Sequence, residues 1–479
     1  MSIDGAKTRG RGNKQPAVGR PNRKKGGSNQ ARKEGYERAE ALKPGLPARI
    51  AATRLLGAVV DGKASLDGLL DRDSGNPHFL ALSPSDRSLV RAMLVSALRN
   101  LMRLEATIDH LTEKPLPDGA RSLRHLLAIA MTQILHLGVA DHAAVDMAVT
   151  QAQVDPRNRR FASLVNALLR RLIRERDEVV AAIAAKTPPF PLWFTRRMVT
   201  AYDEAAVNAM TASMLTPAPI DVTVKSDPDY WAEKLGGIVL ATGTIRLAAG
   251  GAPVPELAGF DEGQWWIQDA AASIPARLFG DLTGKRVADL CAAPGGKTAQ
   301  LILQGGDVTA FDQSANRLKR LESNLARLDL TAEVIKSRAQ DVNDPDGFDA
   351  VLLDAPCSST GTVRRHPDIP WTKSHEDIAK LAGVQRRLLD HAAKLVRPGG
   401  KLVFSNCSLD PEEGEEMVSG FLADNLDWHI EPVLPEHWPG LEQAVTSRGE
   451  LRTHPGMLTY ADPGLSGLDG FYAVVLRPI

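Results

Sequence analysis

Cysteine is nearly missing from this chain of 479 residues, which has only three. Three cysteines cannot build a disulfide framework, so a reducing cytoplasm is the expected setting. Long apolar runs are missing as well. No stretch approaches the roughly 20 residues needed to cross a bilayer, and the N-terminus lacks the apolar core of a signal peptide. The composition therefore points to a soluble chain with no membrane partner, long enough for two or three domains. Net charge is absent too, with 58 Lys and Arg against 58 Asp and Glu.

That balance hides an asymmetry. Residues 1–43 hold 12 Lys and Arg against 4 Asp and Glu. The run Arg20-Pro21-Asn22-Arg23-Lys24-Lys25-Gly26-Gly27 has no apolar period. Residues 1–46 are expected to form a disordered basic tail, suited to nonspecific contacts with RNA phosphates.

From 47 to 177 the sequence reads as a helical bundle. Ser83-Pro84-Ser85-Asp86 opens a helix, since Ser or Asp can cap and Pro suits a first turn. Its apolar face is expected at Leu89, Met93, Ala97 and Leu101. Further helices are expected at 123–137, 143–153 and 161–174. Residues 178–285 read as a linker, marked by Pro188-Pro189-Phe190-Pro191, followed by a small mixed α/β subdomain. From 286 to 479 strands and helices alternate, with strands expected at 287–290, 308–311, 332–335, 350–353, 402–405 and 471–476. A helix over 377–396 is expected to stop at Arg397-Pro398-Gly399-Gly400. This alternation means α/β, a parallel doubly wound sheet.

All three cysteines directly follow strand-like runs or lie just beyond them, where parallel sheets place their sites. Cys291 opens Cys291-Ala292-Ala293-Pro294-Gly295-Gly296-Lys297-Thr298, a tight turn into a helix start whose free N–H groups and small residues admit a ligand. The spacing Gly-x-Gly-x-x-Gly of a dinucleotide site is absent. A phosphate loop fits Gly296-Lys297-Thr298 but has Cys291 at its first glycine position. S-adenosylmethionine remains, supported by Asp312 after the next strand, where a carboxylate can accept from both ribose hydroxyls.

The other two thiols lie in Asp354-Ala355-Pro356-Cys357 and Ser405-Asn406-Cys407-Ser408. Oxygen, nitrogen and sulfur acceptors attack a methyl group directly, so their methylation needs no thiol. Carbon 5 of a pyrimidine is a poor nucleophile until a thiolate adds to carbon 6, so a cysteine belongs in that chemistry. Asp354, three residues from Cys357, is the candidate to protonate or hydrogen-bond the ring at N3.

These motifs resemble the Sun/Fmu (RsmB-type) RNA 5-methylcytosine methyltransferases. The stretch Gly361-Thr362-Val363-Arg364-Arg365-His366-Pro367-Asp368-Ile369 is similar to the branch acting on bacterial 16S ribosomal RNA. The segment Arg159-Arg160-Phe161-Ala162-Ser163-Leu164-Val165-Asn166-Ala167-Leu168-Leu169-Arg170 resembles the NusB-like RNA-binding domain fused to those enzymes. The resemblance covers roughly 48–479 and implies a Rossmann-like methyltransferase domain behind an all-α NusB-like bundle. It implies Cys407 as the nucleophile, Cys357 as the residue assisting product release, and Asp354 and Lys297 in the catalytic set. Cofactor contacts carry over to Cys291, Ala292, Ala293, Pro294, Gly295, Gly296, Lys297, Asp312, Asp341 and Asp354. One departure is Asn406, where the family usually has Thr. The implied partner is 16S ribosomal RNA, for a cytoplasmic monomer with no metal.

Cys291 is expected to be only a small residue beside the ligand, and His366 to order its loop or touch RNA. Arg157, Arg159, Arg160, Arg170, Arg171 and Arg174 are the candidates for a phosphate-binding face. Two rival readings are a DNA cytosine methyltransferase with Cys357 as nucleophile, and an RNA-binding assembly or antitermination factor with an inactive methyltransferase half. The NusB-like segment and the Arg364-Arg365-His366-Pro367 run oppose the first; intact Cys407, Cys357, Asp354 and Lys297 oppose the second.

Overall fold

A computed structural model describes residues 41, 43–247 and 251–479. The expectation for the tail therefore falls almost wholly outside the described residues. Among those described, no helix is long and apolar enough to cross a membrane.

The first half is helical. Helices Leu46–Val60, Pro84–Arg99, Leu101–Leu111, Arg121–Leu135, Asp141–Val154 and Ala162–Arg174 enclose a core containing Leu55, Leu94, Leu127, Met131 and Leu169. Burying each such side chain contributes about 1.5–3 kcal/mol. Ser83 caps its helix, accepting from Asp86 N at 3.2 Å, with Pro84 in the first turn. The apolar face is shifted from the expected one: Val90, Met93, Leu94, Ala97 and Leu98 are buried, Leu89 is only half-buried, and the helix stops at Asn100 before Leu101. The stripe follows the residues that meet the neighbouring helices, and Leu101 starts the next helix.

Helix Arg176–Lys186 lies across the expected boundary at 177–178, and its Val179 and Ile183 belong to the helical core. Helices Leu192–Ala201 and Glu204–Leu215 follow. Their Phe194, Met198, Met210 and Met214 pack on Val363, Ile369 and Leu409 of the C-terminal half, of which Ile369 opens the short helix Ile369–Thr372. Next come strands β1 (Ile220–Val224), β2 (Ile238–Val239), β3 (Ile245–Leu247) and β4 (Trp265–Ile267), in an antiparallel sheet ordered β2-β3-β1-β4.

The C-terminal half is built on β5 (Arg286–Leu290), β6 (Asp307–Asp312), β7 (Glu333–Lys336), β8 (Phe348–Asp354), β9 (Val396–Asn406), β10 (Trp428–Ile430), β11 (Leu451–Arg452) and β12 (Tyr472–Pro478). The order is β10-β12-β9-β8-β5-β6-β7, with β11 beside β12. Strands β5 to β9 are mutually parallel. Ala288, Leu290, Val351, Leu353, Leu402 and Phe404 pack on one face against Leu388, Leu389 and Phe421 of helices His375–Ala393 and Glu415–Asp424. Val287, Ala350, Leu352 and Val403 pack on the other, against Ala276 and Leu301. Burial on both faces is why these strands read as unbroken apolar runs.

Two details differ from expectation. The last strand, β12, runs antiparallel between β9 and β10. Arg397-Pro398-Gly399-Gly400 does not merely end a helix: that helix stops at Ala393, and β9 already begins at Val396. The register slips between Phe348 and Ala350, from Val396 to Lys401. Extra residues on β9 thus form an irregularity that accommodates Pro398 and the positive φ of Gly399.

Candidate active site

Chain reversal at the sheet centre, with β6 on one side of β5 and β8 on the other, opens a crevice beyond the carboxyl ends of the strands. Asp312 ends β6, Asp354 ends β8, and Cys291 and Cys407 directly follow β5 and β9. Cys291, Asp312, Asp354, Cys357 and Cys407 line one cavity of about 290 Å³. Lys297 Nζ donates to Asp354 Oδ2 at 2.8 Å, and Ser405 Oγ donates to Asp354 Oδ1 at 2.9 Å. The Lys297 ammonium also stands 5.1 Å from the centre of the Phe471 ring.

The two thiols meet across the crevice. Cys357 Sγ and Cys407 Sγ are 3.4 Å apart. The Cys407 thiol is held below its usual range, chiefly by a hydrogen bond from the Cys357 sulfhydryl and against burial, with the Ser359 hydroxyl and Lys297 helping. The Cys357 thiol is pushed well up by that same bond and by burial, and the Glu413 carboxylate adds to the effect. The shifts run in opposite directions, which favours the proton on Cys357 rather than on Cys407. Cys291 is pushed up to about 12 by burial and the nearby Asp354 and Asp312 carboxylates, so it stays a neutral thiol.

Both thiol loops are stitched together behind the sulfurs. Gly361 N donates to Cys407 O at 2.9 Å and Ala355 N to Ser405 O at 2.8 Å. Ser358 N donates to Glu413 Oε1 at 2.9 Å, and the Ser358 hydroxyl donates to Oε2 of the same carboxylate. Asn406 Nδ2 donates to Gln385 Oε1 at 3.0 Å, and its Oδ1 accepts from Ser408 N at 3.0 Å. Asn406 thus orders the Cys407 loop from the position where the resembling family usually has Thr.

Residues 281–477 match the family 16S rRNA methyltransferase RsmB/F, and residues 46–174 match the NusB family. The chain is 34% identical over 446 residues to the ribosomal RNA small subunit methyltransferase B of Vibrio vulnificus, which covers 89% of this chain and 98% of that protein. The chain belongs to the 16S rRNA methyltransferase RsmB/F family. The protein of the same name from Vibrio cholerae is 33% identical over 446 residues, covering 89% of this chain and 96% of its own. In fold the chain is similar to the crystal structure of PH0851, with a TM-score of 0.64 at 21% identity over 90% of this chain and 98% of that one. As a member of the RsmB/F family this is an RNA methyltransferase with a NusB-like helical half.

In this RsmB/F chain the expected cofactor residues divide between two adjoining cavities. Ala292, Ala293, Pro294, Gly295, Gly296 and Lys297 line a cavity of about 400 Å³ with Phe260, Trp266 and Gln268. Cys291 and Asp354 line both, and Asp312 lines only the cavity that holds the thiols. Gly295 turns the chain at φ 100°, and a Cβ there would meet Leu321 at 3.0 Å. Asp312 receives Ser314 N at 2.9 Å on Oδ1 and pairs through Oδ2 with Arg317 at 2.9 Å. Asp341 is the exception. It pairs with Arg338 at 2.6 Å and is about half exposed, and its neighbours Ala339 and Gln340 line the thiol cavity instead.

The sequence reading missed Asp289, Ser405, Glu413, Gln385 and Phe471. Asp289 is fully buried, receives Thr298 Oγ1 at 2.6 Å, and is pushed up to about 7 by burial. It stands two residues before Cys291, and a carboxylate inside an apolar strand was the available signal. Glu413 and Gln385 carried no local signal, because only the fold brings them beneath the loops. His366 pairs with Asp67 of the helical half at 3.0 Å. Of the six arginines, Arg157 is paired with Asp155 at 2.9 Å and Arg171 with Glu175 at 2.9 Å. Arg159 donates to Gln153 O, Arg170 donates to Asn166, and Arg160 stacks over Phe161.

Proposed function

We propose that this RNA methyltransferase moves a methyl group from S-adenosylmethionine to carbon 5 of a cytosine in 16S ribosomal RNA, through a covalent bond between Cys407 and carbon 6. The observation that carries the reading is the pair of thiols 3.4 Å apart in one cavity with Asp354, and the lowering of Cys407 favours it as the attacking sulfur. The names of the Vibrio relatives support the RNA class. When bound, S-adenosylmethionine supplies an electrophilic methyl sulfonium, and Asp312 and the turn at 291–297 are the groups we assign to hold it.

Cys407 adds to carbon 6, which makes carbon 5 an enamine-like carbon able to attack the methyl group. Asp354, fixed by Lys297 and Ser405, meets the N3 edge of the ring. Protonated, it donates to N3; ionised, it accepts from the exocyclic amine. Once Cys407 is bonded to carbon, it no longer draws the Cys357 proton into a thiolate bond. Elimination then breaks the carbon 6–sulfur bond: solvent hydroxide takes the carbon 5 proton, and the Cys357 sulfhydryl, 3.4 Å from Cys407, donates a hydrogen bond to the departing Cys407 thiolate. The reverse assignment, with Cys357 attacking as in a DNA-type enzyme, runs against the direction in which both thiols are shifted.

We assign residues 47–177 to RNA binding, 178–285 to connection and support, and 286–479 to catalysis, in a cytoplasmic monomer that uses no metal. The tail at 1–46 adds phosphate affinity through its basic charge. Bisulfite sequencing of 16S rRNA from a deletion strain, compared with its parent, is the test. Loss of one protected cytosine is the expected result; an unchanged pattern overturns the reading.

A further inference from the structure

Cys407 has a second open side. Besides the cavity it shares with Asp312, it lines a separate cleft of about 360 Å³ whose other walls come from both halves of the molecule. Lys63 and Ser65 belong to the turn after helix Leu46–Val60 and Asp67 to the short helix Leu66–Leu69 that follows it, while His366 and Lys373 lie in the segment that follows Cys357. The junction is built rather than incidental. Leu66 N donates to Asp368 Oδ2 at 3.0 Å, Lys63 Nζ reaches Trp371 O at 2.5 Å, and Trp371 Nε1 donates to Leu98 O at 3.1 Å. Arg99 Nη2 donates to Arg364 O at 3.0 Å. Lys63 itself sits at φ 55°, a left-handed backbone unusual for lysine, which the turn maintains while the side chain spans to the catalytic half.

The acids in this cleft are already engaged, and the cations are not fully so. Asp67 is paired with His366 and Asp368 accepts Leu66 N. Lys63 spends one of its three donors on Trp371 O, and Lys373 has no side-chain hydrogen bond or ion pair among the described residues. The rest of the lining is rich in hydroxyls, from Ser65, Ser359 and Thr362. His366 is the one ring in the lining and is taken up by Asp67; the remaining ammonium groups and hydroxyls are the chemistry of phosphate and ribose contact, which positions a strand without selecting bases.

We propose that this cleft holds the sugar-phosphate backbone of single-stranded RNA beside the target nucleotide, with Lys63 and Lys373 as its phosphate contacts. This rests on Cys407 being the attacking residue. The cofactor cavity and the backbone cleft then lie on two sides of one thiol, and the base passes between them. The helical half thereby builds a wall of the catalytic centre, in addition to any contact on its arginine face.

The test uses the full chain and a single-stranded 16S rRNA fragment. RNA affinity is measured across a salt series for wild type, Lys63→Ala, Lys373→Ala and the double variant, with Lys234→Ala, an exposed lysine of helix Pro228–Leu235 that lines none of these cavities, as the comparison. Losing one phosphate contact is expected to weaken RNA binding about five- to tenfold and lower the salt slope by about 0.7 to 1 per lysine. S-adenosylmethionine affinity measured by calorimetry is expected to stay at the wild-type value, and Lys63→Arg is expected to restore RNA binding. A double variant with wild-type affinity and salt slope overturns the proposal. So does equal loss in Lys63→Ala and Lys63→Arg, which would mark a purely structural lysine. Because the readout is binding, it decides the cleft even where bisulfite sequencing finds no modified cytosine; that second result would instead remove the methylation reading.

Discussion

Asn406 Nδ2 donates to the main-chain oxygen of Glu413 at 2.6 Å, tying the residue before Cys407 to the loop that lies beneath both thiols. The same side chain holds Gln385 and Ser408, so it fixes the Cys407 loop at three points. Asn406→Ala should lower methyl transfer at least tenfold and cost about 1–3 kcal/mol of stability, because buried polar groups lose their partners. Asn406→Thr should recover part of the rate. Single-turnover assays beside urea denaturation check both; a fully active alanine variant would contradict this role.

The two thiols should fail differently. Cys407→Ala removes the attacking sulfur and should abolish both methylation and any covalent protein–RNA species. Cys357→Ala should still attack and methylate, then remain linked to RNA. Denaturing gels that resolve the linked species separate the two, and trapping by the Cys407 variant instead would exchange their roles.

Asp312 is held ready by Ser314 N and the Arg317 guanidinium. Its replacement by alanine should weaken S-adenosylmethionine binding by about 1.5–3 kcal/mol for each charge-assisted hydrogen bond lost. Asp341→Ala should have a much smaller effect, since Asp341 is turned toward Arg338 outside both cavities. Calorimetry on the two variants gives the comparison, and equal losses would count against the placement of Asp341.

Burial raises the Asp289 carboxyl to about 7 in the folded chain, above its unfolded value near 4. Between those values the native state binds the extra proton. The favourable contribution is thus complete below pH 4 and is lost as pH rises through about 7. Asp289→Asn keeps an acceptor for the Thr298 hydroxyl and removes the titration. Denaturation midpoints of the wild type relative to this variant should fall from pH 4 to pH 7 and level off above. A constant difference across that range would show that Asp289 does not titrate there.

Much of the site could be read from sequence because its parts are local. A strand end followed by Cys291, Asp354 or Cys407 needs only an apolar run and the next few residues, and the sheet brings those ends together automatically. Asp312 was legible for the same reason. Other features depend on distant partners. Glu413 matters because Ser358, 55 residues away, donates to it, and Phe471 because Lys297 approaches its ring. The 2-residue strands β2 and β11 are too short to show a period. The direction of β12 is likewise invisible in its composition, since an apolar strand reads the same in either sense. The helical face near Leu89 moved because packing partners, rather than spacing alone, choose which side is buried.

The position of β12 also decides how β9 is held. It pairs Tyr472 with Asn406 and Ala473 with Ser405, so the end of β9 that leads into Cys407 is braced by a strand far downstream of it. Without β12, β9 would be an open edge with unpaired backbone groups. A break in the β12 backbone would therefore loosen the Cys407 loop from the side opposite to β8, with no change in either thiol motif.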